Sequence, residues 1–181
     1  SDRICLGYIG VGKQSHGLFN SLNGCPETIV LAACDVDSIK LKAFREAAMK
    51  ANTEKLKGGS QAVDTYEQYR ELLERKDIDA VVIITPDHWH AMMAVDAAKA
   101  GKDIYCEKPL ALTVAEGRAM VSAAHKYNRV FQTGNMQRSW RNFRHACEMV
   151  RNGYIGEVKT INVSVGDPHR ACELPPVETP D

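Results

Sequence analysis

The stretch RICLGYIGVGKQSHG, residues 3–17, decides the fold of this 181-residue chain. Its first half, RICLGYI (3–9), is a short apolar run that predicts a buried strand. Its second half places Gly10, Gly12 and Ser15 in the spacing G-x-G-x-x-small, which is typical of a strand-to-helix turn that binds a pyrophosphate. In such a turn the first glycine allows the tight bend and the second lets the phosphates approach the backbone. The small third residue lets the helix pack on the strand.

Strand and helix patterns alternate beyond this stretch up to about residue 136. Further strands are predicted at 28–35, within 61–65, and at 78–85, 103–107 and 129–134, and helices at 14–22, 38–51, 66–75, 88–101 and 113–128. The last of these helices begins at Thr113 and has Glu116 three residues later, which is the pattern of a capping box. Alternation at this spacing predicts right-handed βαβ units and therefore an α/β fold with a doubly wound parallel sheet, the Rossmann fold.

The last part of the chain has a different pattern. NFRHACEMVRNG (142–153) is predicted to be a helix, and GEVKTINVSV (156–165) alternates like a strand with one exposed face. The final 16 residues contain four prolines and no periodicity, so we expect a linker or tail there. The sequence therefore predicts a first domain over 1–136 and, over 137–181, the first helix and strand of an incomplete α+β second domain.

Composition excludes several classes of partner. The 23 basic and 23 acidic residues cancel, which argues against a nucleic-acid or membrane partner, and no apolar run is long enough to span a bilayer. The six cysteines form no C-x-x-C pair, so neither a disulfide framework nor a zinc site is expected. No signal peptide is visible, so a cytoplasmic location is expected unless a leader has been trimmed.

Asp35 is the acidic residue that the glycine pattern requires. It ends the second predicted strand, 23 positions after Gly12, where the ribose of an adenosine would bind. A carboxylate accepts hydrogen bonds from two ribose hydroxyls but repels a 2′-phosphate. Because Val36 and Asp37 supply no arginine to hold that phosphate, NAD is expected and NADP is less favoured.

A second loop, TPDHWHA (85–91), follows the fourth predicted strand. In open α/β sheets ligands bind outside the carboxyl ends of the strands, so Thr85 and Pro86 would line the cofactor. Asp87 would cap the next helix.

His88 and His90 in the same loop suggest a metal site, but side chains at i and i+2 of a helix point apart and no third ligand is evident. No metal is therefore expected. Two interpretations remain open. In one, the segment is a polar helix start with Trp89 packed on the domain face. In the other, Trp89 and His90 border a nicotinamide pocket.

A third loop, IYCEKPLAL (104–112), carries charges at the end of a predicted buried strand. The residue before a proline is held extended, so Pro109 fixes Lys108, and the bond between them can be cis. Near a cationic ring, like-charge repulsion and desolvation would favour the neutral amine that proton transfer requires. The alternative is that Lys108 pairs with Glu107 or another carboxylate as a structural contact.

Together these segments resemble a known family. GYIGVGKQSHG, CDVD, IITPDHWHAMMAVDAAKAGKDIYCEKPLALT and NGYIGEVKTINV are similar, in order from residue 3 to about 170, to the glucose–fructose oxidoreductase, inositol dehydrogenase and MocA (Gfo/Idh/MocA) family. The resemblance implies an NAD-dependent dehydrogenase that transfers a hydride from a sugar or polyol hydroxyl. Similar bacterial proteins often carry a twin-arginine leader, which would imply a periplasmic location.

The resemblance also implies roles for individual residues. Lys108 would be the catalytic residue, beside the nicotinamide, where it helps to bind or deprotonate the substrate hydroxyl. Asp35 would bind the adenosine ribose. The other residues expected at the cofactor are Gly10, Val11, Gly12, Lys13 and Gln14 around the pyrophosphate, Thr85, Pro86, His88, His90 and Glu107 towards the nicotinamide, and Asn135 and Gln137 where the domain crosses to the substrate side.

Family members continue into an open antiparallel sheet that forms most of the substrate pocket and the dimer face. The full-length parent is therefore expected to be a homo-oligomer, and this chain is expected to bind the cofactor without turnover. Two alternatives stay open: an NAD-dependent, redox-neutral glycosidase of the same family, and a non-catalytic NAD-binding module.

Overall fold

Six parallel strands form one sheet in the computed structural model, which describes residues 3–59, 61–164 and 166. The strands are β1 (Ile4–Ile9), β2 (Thr28–Cys34), β3 (Asp64–Tyr66), β4 (Ala80–Ile83), β5 (Asp103–Glu107) and β6 (Phe131–Gly134). Their order is β3-β2-β1-β4-β5-β6, and every neighbouring pair is parallel. The chain therefore runs outwards in both directions from β1, and the predicted doubly wound sheet is confirmed.

Helices connect the strands. They are α1 (Lys13–Asn23), α2 (Ser38–Lys55), α3 (Tyr69–Glu74), α4 (Asp87–Lys99) and α5 (Val114–Lys126), followed by a 3₁₀ turn (Met136–Ser139) and α6 (Arg141–Arg151). The predicted capping box starts α5: Thr113 Oγ1 accepts a hydrogen bond from Glu116 N–H, and a Glu116 carboxylate oxygen accepts one from Thr113 N–H, both at 3.2 Å.

The sheet separates two apolar clusters, because successive side chains of a strand point to opposite faces. Ile9 of β1 belongs to one cluster, with Leu72 and Ile83. Tyr8, the residue before it, belongs to the other, where its ring centroid lies 4.9 Å from that of Phe44. Both faces are thus covered, as a parallel sheet requires.

Several element boundaries differ from the sequence prediction by a few residues, and contacts between distant parts of the chain explain two of them. Tyr66 was expected to start a helix, but it pairs with Cys34 as the last residue of β3, and α3 begins at Tyr69. Helix α2 extends to Lys55 because its last turns bind β2. Asn52 Nδ2 donates to the carbonyl oxygen of Val30 at 2.7 Å, and Lys55 Nζ donates to that of Thr28 at 2.8 Å.

The chain divides into two units between Gly134 and Asn135. In the second unit, the strand expected over 156–165 is absent from 156–164, because a strand needs a hydrogen-bonded neighbour and none is present among the described residues there. Val165 and the predicted tail from residue 167 lie outside the described residues. None of the helices described is both long and apolar enough to cross a membrane.

Candidate functional site

The carboxyl ends of β1, β2, β4 and β5 lie along the same edge of the sheet because all four strands are parallel. At this edge the chain leaves β1 on one side and β4 on the other, which creates a crevice at the point where the strand order reverses. The glycine turn, Asp35 and Lys108 directly follow β1, β2 and β5, and Thr85 is the second residue after β4. The topology therefore brings the four predicted loop segments to one place.

Gly10 is required by the fold itself. Its φ is +86°, in the region that favours glycine, and a Cβ added there would lie 2.9 Å from the backbone carbon of Ile84 and the nitrogen of Thr85. Its N–H donates to the carbonyl oxygen of Cys34 at 2.8 Å. No larger residue can hold the end of β1 this close to the loop after β4.

Gly12 faces open space instead. A Cβ added there would meet no atom within 4 Å, and its φ of −71° suits any residue. Gly12 precedes α1 without a side-chain cap, so the first N–H groups of the helix, including those of Lys13 and Gln14, have no acceptor within the helix. Open space before a helix N-terminus is a ready site for a phosphate.

Ser15, which stands where a third glycine is common, closes the same turn. It is buried, and its Oγ donates to the carbonyl oxygen of Gly12 at 2.6 Å. The departure from the glycine pattern therefore adds a hydrogen bond to the turn and leaves the helix packed on the strand. A small residue was expected from the sequence, but this bond was not.

The Asp35 carboxylate is oriented by two backbone groups. Its Oδ2 accepts from Val11 N–H at 2.7 Å, and its Oδ1 accepts from Asp37 N–H at 3.0 Å. A carboxylate has about four acceptor positions, so capacity remains for two ribose hydroxyls. The nearby Lys40 ammonium lies 2.6 Å from an Asp37 oxygen. These residues fit a dinucleotide with an unmodified adenosine ribose.

His90 is placed differently from the expectation that it lines the cofactor path. Its ring is only 1% exposed, with Nε2 lying 2.7 Å from the carbonyl oxygen of Thr85 and Nδ1 lying 2.8 Å from that of Pro109. The ring thus joins the loop after β4 to the loop after β5 and presents no polar atom to the open side of the crevice. The sequence carries no signal for this arrangement.

The other residues of the loop after β4 lie nearer the surface. Thr85 is half-buried with its Oγ1 3.5 Å from Met93 Sδ, while Pro86, His88 and Trp89 are exposed. Pro86 precedes α4, so Asp87 is the first helical residue and not the cap that the sequence predicted. Among the residues that the structure describes, no cluster of three or more His, Cys, Asp or Glu could hold a metal ion.

The end of β5 carries a buried carboxyl group followed by an exposed amine. Glu107 is 3% exposed, and its Oε2 accepts from the backbone N–H of Lys108 at 2.9 Å. Gly134 leaves room for this side chain, since a Cβ there would lie 2.8 Å from Glu107 Oε1. The Lys108 side chain is exposed and its ammonium forms no ion pair with the described residues, so the structural-contact alternative is not what the geometry shows. The Lys108–Pro109 bond is cis.

The thiols at this edge are not available as nucleophiles. Burial, together with the charge of Glu107, raises the pKa of Cys106 to about 12. Burial, together with the charge of Asp35, raises the pKa of Cys34 to about 12. Both thiols are therefore protonated near neutral pH and are poor nucleophiles there.

Asn135 and Gln137 lie in the second unit. Asn135 precedes the 3₁₀ turn and its carbonyl oxygen accepts from Arg138 N–H at 3.1 Å, while the carbonyl oxygen of Gln137 accepts from Trp140 N–H at 3.2 Å. Both residues are exposed. Their expected role at the cofactor stays a prediction.

Two curated relatives cover nearly all of this chain. The chain is 30% identical over 163 residues to the myo-inositol 2-dehydrogenase of Thermotoga maritima, covering 90% of this chain and 45% of the relative. It is 32% identical over 157 residues to a glycosyl hydrolase family 109 protein of Shewanella pealeana, covering 87% and 34%. The chain therefore spans about a third to a half of the length of these relatives.

A solved structure shows a similarity over the same part of the chain. The scyllo-inositol dehydrogenase of Lactobacillus casei, with bound cofactor NAD(H) and scyllo-inositol, matches at a TM-score of 0.70 and 25% identity, covering 86% of this chain and 43% of that one. The family model of the Gfo/Idh/MocA oxidoreductases, described as an NAD-binding Rossmann fold, matches residues 4–135. The chain thus belongs to the Gfo/Idh/MocA oxidoreductase family, and residues 4–135 form the NAD-binding Rossmann domain of that family.

Proposed function

We propose that this chain is the nucleotide-binding part of an NAD-dependent dehydrogenase that acts on a hydroxyl group of a sugar or polyol. One observation carries the proposal: the open glycine turn, the oriented Asp35 carboxylate and the exposed Lys108 amine all follow strands that end at the same crevice. The first two features fit a dinucleotide. The third supplies a base beside the position where chemistry would occur.

The chain's own residues hold the cofactor at two points. The N-terminal turn of α1 and the space before Gly12 accommodate the pyrophosphate, and Asp35 accepts the ribose hydroxyls. NADP is disfavoured because its 2′-phosphate would meet the Asp35 carboxylate. When bound, the nicotinamide supplies the hydride acceptor.

Lys108 would receive the proton that leaves the substrate hydroxyl as the carbon–hydrogen bond breaks. Its backbone N–H is bonded to Glu107, which fixes the main chain while the amine stays accessible. A base held in this way contributes about 10²- to 10⁴-fold to the rate of proton transfer.

Residues 137–181 would form the start of a second domain that completes the substrate pocket, in keeping with the greater length of the relatives. We infer a sugar or cyclic polyol as the substrate because two of the similar proteins are inositol dehydrogenases. The complete protein would be a homo-oligomer.

A redox-neutral glycosidase is the second candidate, since one of the relatives is a glycosyl hydrolase family 109 protein. Such an enzyme would use the same cofactor site and release an aglycone without accumulating NADH. A non-catalytic NAD-binding module is the third candidate, and oxidation of any sugar by the complete protein would exclude it.

Calorimetric titration of this chain with NAD, NADH and NADP at one salt concentration tests the cofactor assignment. NAD and NADH are expected to bind more tightly than NADP. Gly12→Ala is expected to abolish binding without lowering stability, because its Cβ meets no protein atom but occupies the pyrophosphate space. Unchanged NAD affinity in Gly12→Ala would contradict the proposed site.

Assays of the complete protein with a panel of sugars and inositols test the reaction. Lys108→Ala is expected to lower kcat at least about 100-fold. Lys42→Ala, which removes an exposed lysine on α2, is the matched control and should leave kcat unchanged. Full activity in Lys108→Ala would remove the proposed base, and aglycone release without NADH would favour the glycosidase.

A further inference from the structure

His90 has no expected catalytic contact, yet it lies between two loops of the proposed site. Its Nε2 lies 2.7 Å from the carbonyl oxygen of Thr85, in the loop after β4. Its Nδ1 lies 2.8 Å from the carbonyl oxygen of Pro109, the residue after Lys108. Both distances are those of hydrogen bonds, and both partners are backbone carbonyls that can only accept.

Because both partners only accept, the protonation state of the ring determines whether one or two hydrogen bonds form. A neutral imidazole has one N–H group and one lone pair, so it satisfies one carbonyl and directs its lone pair at the other oxygen. With protons on both nitrogens, the ring donates to both carbonyls. Rotating the ring by 180° would place carbon atoms at both contacts, so it offers no alternative.

We propose that His90 is a positioning residue, protonated on both ring nitrogens, that holds the loops after β4 and β5 together through two donated hydrogen bonds. The inference rests on the proposed cofactor site, because these loops form its nicotinamide side. The backbone of Thr85 also borders Gly10, so the two hydrogen bonds of His90 connect the glycine turn to the loop that carries Lys108. Losing one proton would release one carbonyl and loosen the loop that carries the amine.

Two backbone carbonyl oxygens are the partners that can stabilise a charge on the buried ring. Glu107 lies two residues before the bonded Pro109, and it is the one buried carboxyl group among the residues described. A buried charge is costly unless its polar groups are compensated, and the carbonyl oxygens of Thr85 and Pro109 supply a hydrogen-bond acceptor to each ring nitrogen of His90. The titratable or charged side chains on α4 and on the elements in contact with it are Asp87, His88, Asp96 and Lys99 on α4, Tyr69, Arg70, Glu71 and Glu74 on α3, Asp103, Tyr105, Cys106 and Glu107 on β5, and Glu116, Arg118, His125 and Lys126 on α5, with Lys108 directly after β5.

The first test is nitrogen-15 NMR of the chain labelled at histidine. The His90 ring, assigned by the signals that disappear in His90→Gln, is expected to show an attached proton on both nitrogens near neutral pH. One protonated nitrogen and one with a free lone pair would overturn the proposal. This measurement needs no cofactor, so it tests the protonation of His90 even if NAD fails to bind. Failure of NAD to bind would count against the proposed function and not against the role of His90.

The second test is the pH dependence of NAD affinity, measured by calorimetry between about pH 5 and pH 9, where histidines titrate. Because the proton supports the bound geometry, affinity is expected to fall as the pH rises, by about tenfold, the effect of one lost charge-assisted hydrogen bond. His90→Gln should bind more weakly and lose this dependence. His125→Gln, which removes an exposed histidine in the last turn of α5, should keep it. The wild-type dependence surviving in His90→Gln would overturn the proposal.

Discussion

The residues up to Gly134 and those from Asn135 onwards use their apolar side chains in opposite ways. In the first unit, the strands β2 and β4 are buried almost throughout, and two clusters fill the space between sheet and helices. In the second, no described residue is buried, although α6 repeats apolar side chains at helical spacing with Phe143 half exposed. An isolated helix of this length is marginal in water.

This difference separates two sources of structure. The first unit owes its fold to burial of its own side chains, so sequence patterns that predict burial also predict its architecture. The described part of the second unit has apolar side chains at helical spacing, but none of its described residues is buried. Changes of the same type should therefore have large effects in the first unit and small effects in the second.

The largest contrast is expected between two isoleucines. Ile83 in β4 is fully buried, whereas Ile161 is 77% exposed. Ile83→Ala should lower the free energy of unfolding by about 2–5 kcal/mol because it leaves a cavity. Ile161→Ala should change it by less than about 0.5 kcal/mol. Urea denaturation measures both values, and equal effects would remove the distinction between the units.

Two glycines with positive φ provide a second comparison between the two units. Gly10 has a φ of +86° and backbone atoms 2.9 Å from the position of a Cβ, while Gly153 has a φ of +74° and open space there. Gly10→Ala should be destabilised by about 2–4 kcal/mol, since conformational strain and overpacking add. In Gly153→Ala only the strain remains, at about 1 kcal/mol. Thermal unfolding of the two variants distinguishes packing from backbone conformation.

The cysteines differ in their response to alkali. Burial raises the pKa of Cys106 from 9.0 to about 12, so the stability gained from its protonated thiol is complete below pH 9 and is lost as the pH rises to about 12. Cys106 should contribute about 1.4 kcal/mol per pH unit to this loss, and Cys106→Ala should reduce the slope by that amount, while the contribution of Cys34 remains. Cys147 on α6 is exposed, and Cys147→Ala should leave the wild-type slope unchanged.

Alkylation of the native chain at pH 9, followed by mass spectrometry, gives an independent measurement. Cys147 should be modified, and Cys34 and Cys106 should not, because a thiolate is the reactive form and both buried groups have a pKa of about 12. Rapid modification of Cys106 would show that β5 opens far more readily than its burial implies.

The smallest effect is expected at two tyrosines. Tyr8 is fully buried, and its hydroxyl has no hydrogen-bond partner among the described residues. Tyr8→Phe removes an unsatisfied polar atom and should raise stability by up to about 1 kcal/mol. Tyr154, 72% exposed, provides the control, since Tyr154→Phe should have no measurable effect. A clear loss of stability in Tyr8→Phe would reveal a bonded hydroxyl.

Much of the first unit could be predicted from the sequence because its signals are local. The glycine turn, the apolar runs and the helical spacing each depend on a few adjacent residues, and parallel topology then places Asp35, Thr85 and Lys108 at one edge. The start of α3 could not be predicted in this way. Tyr66 fits either element, and pairing with the distant Cys34 decides for the strand.

The same reasoning explains what was missed at the site. The histidine in a polar loop suggested a residue that faces the ligand, but His90 turns inwards to two carbonyls separated from it by 5 and 19 positions in the chain. The space that Gly134 leaves for Glu107 depends on pairing between β5 and β6. Backbone acceptors and missing side chains of this kind leave no pattern in the sequence. The strand expected over 156–165 is absent from 156–164 for a related reason, since alternating side chains cannot supply a neighbouring strand.

Because the Asp35 carboxylate also accepts the Val11 N–H bond, engineering of the cofactor preference must preserve an acceptor at this position. Asp35→Ser would reduce repulsion of a 2′-phosphate but, with a shorter side chain, would also leave the glycine turn without its acceptor. Asp35→Asn removes the charge and keeps a carbonyl oxygen at the same distance from the backbone. Libraries aimed at NADP use should therefore start from asparagine and add a basic residue at Val36, whose side chain is 82% exposed.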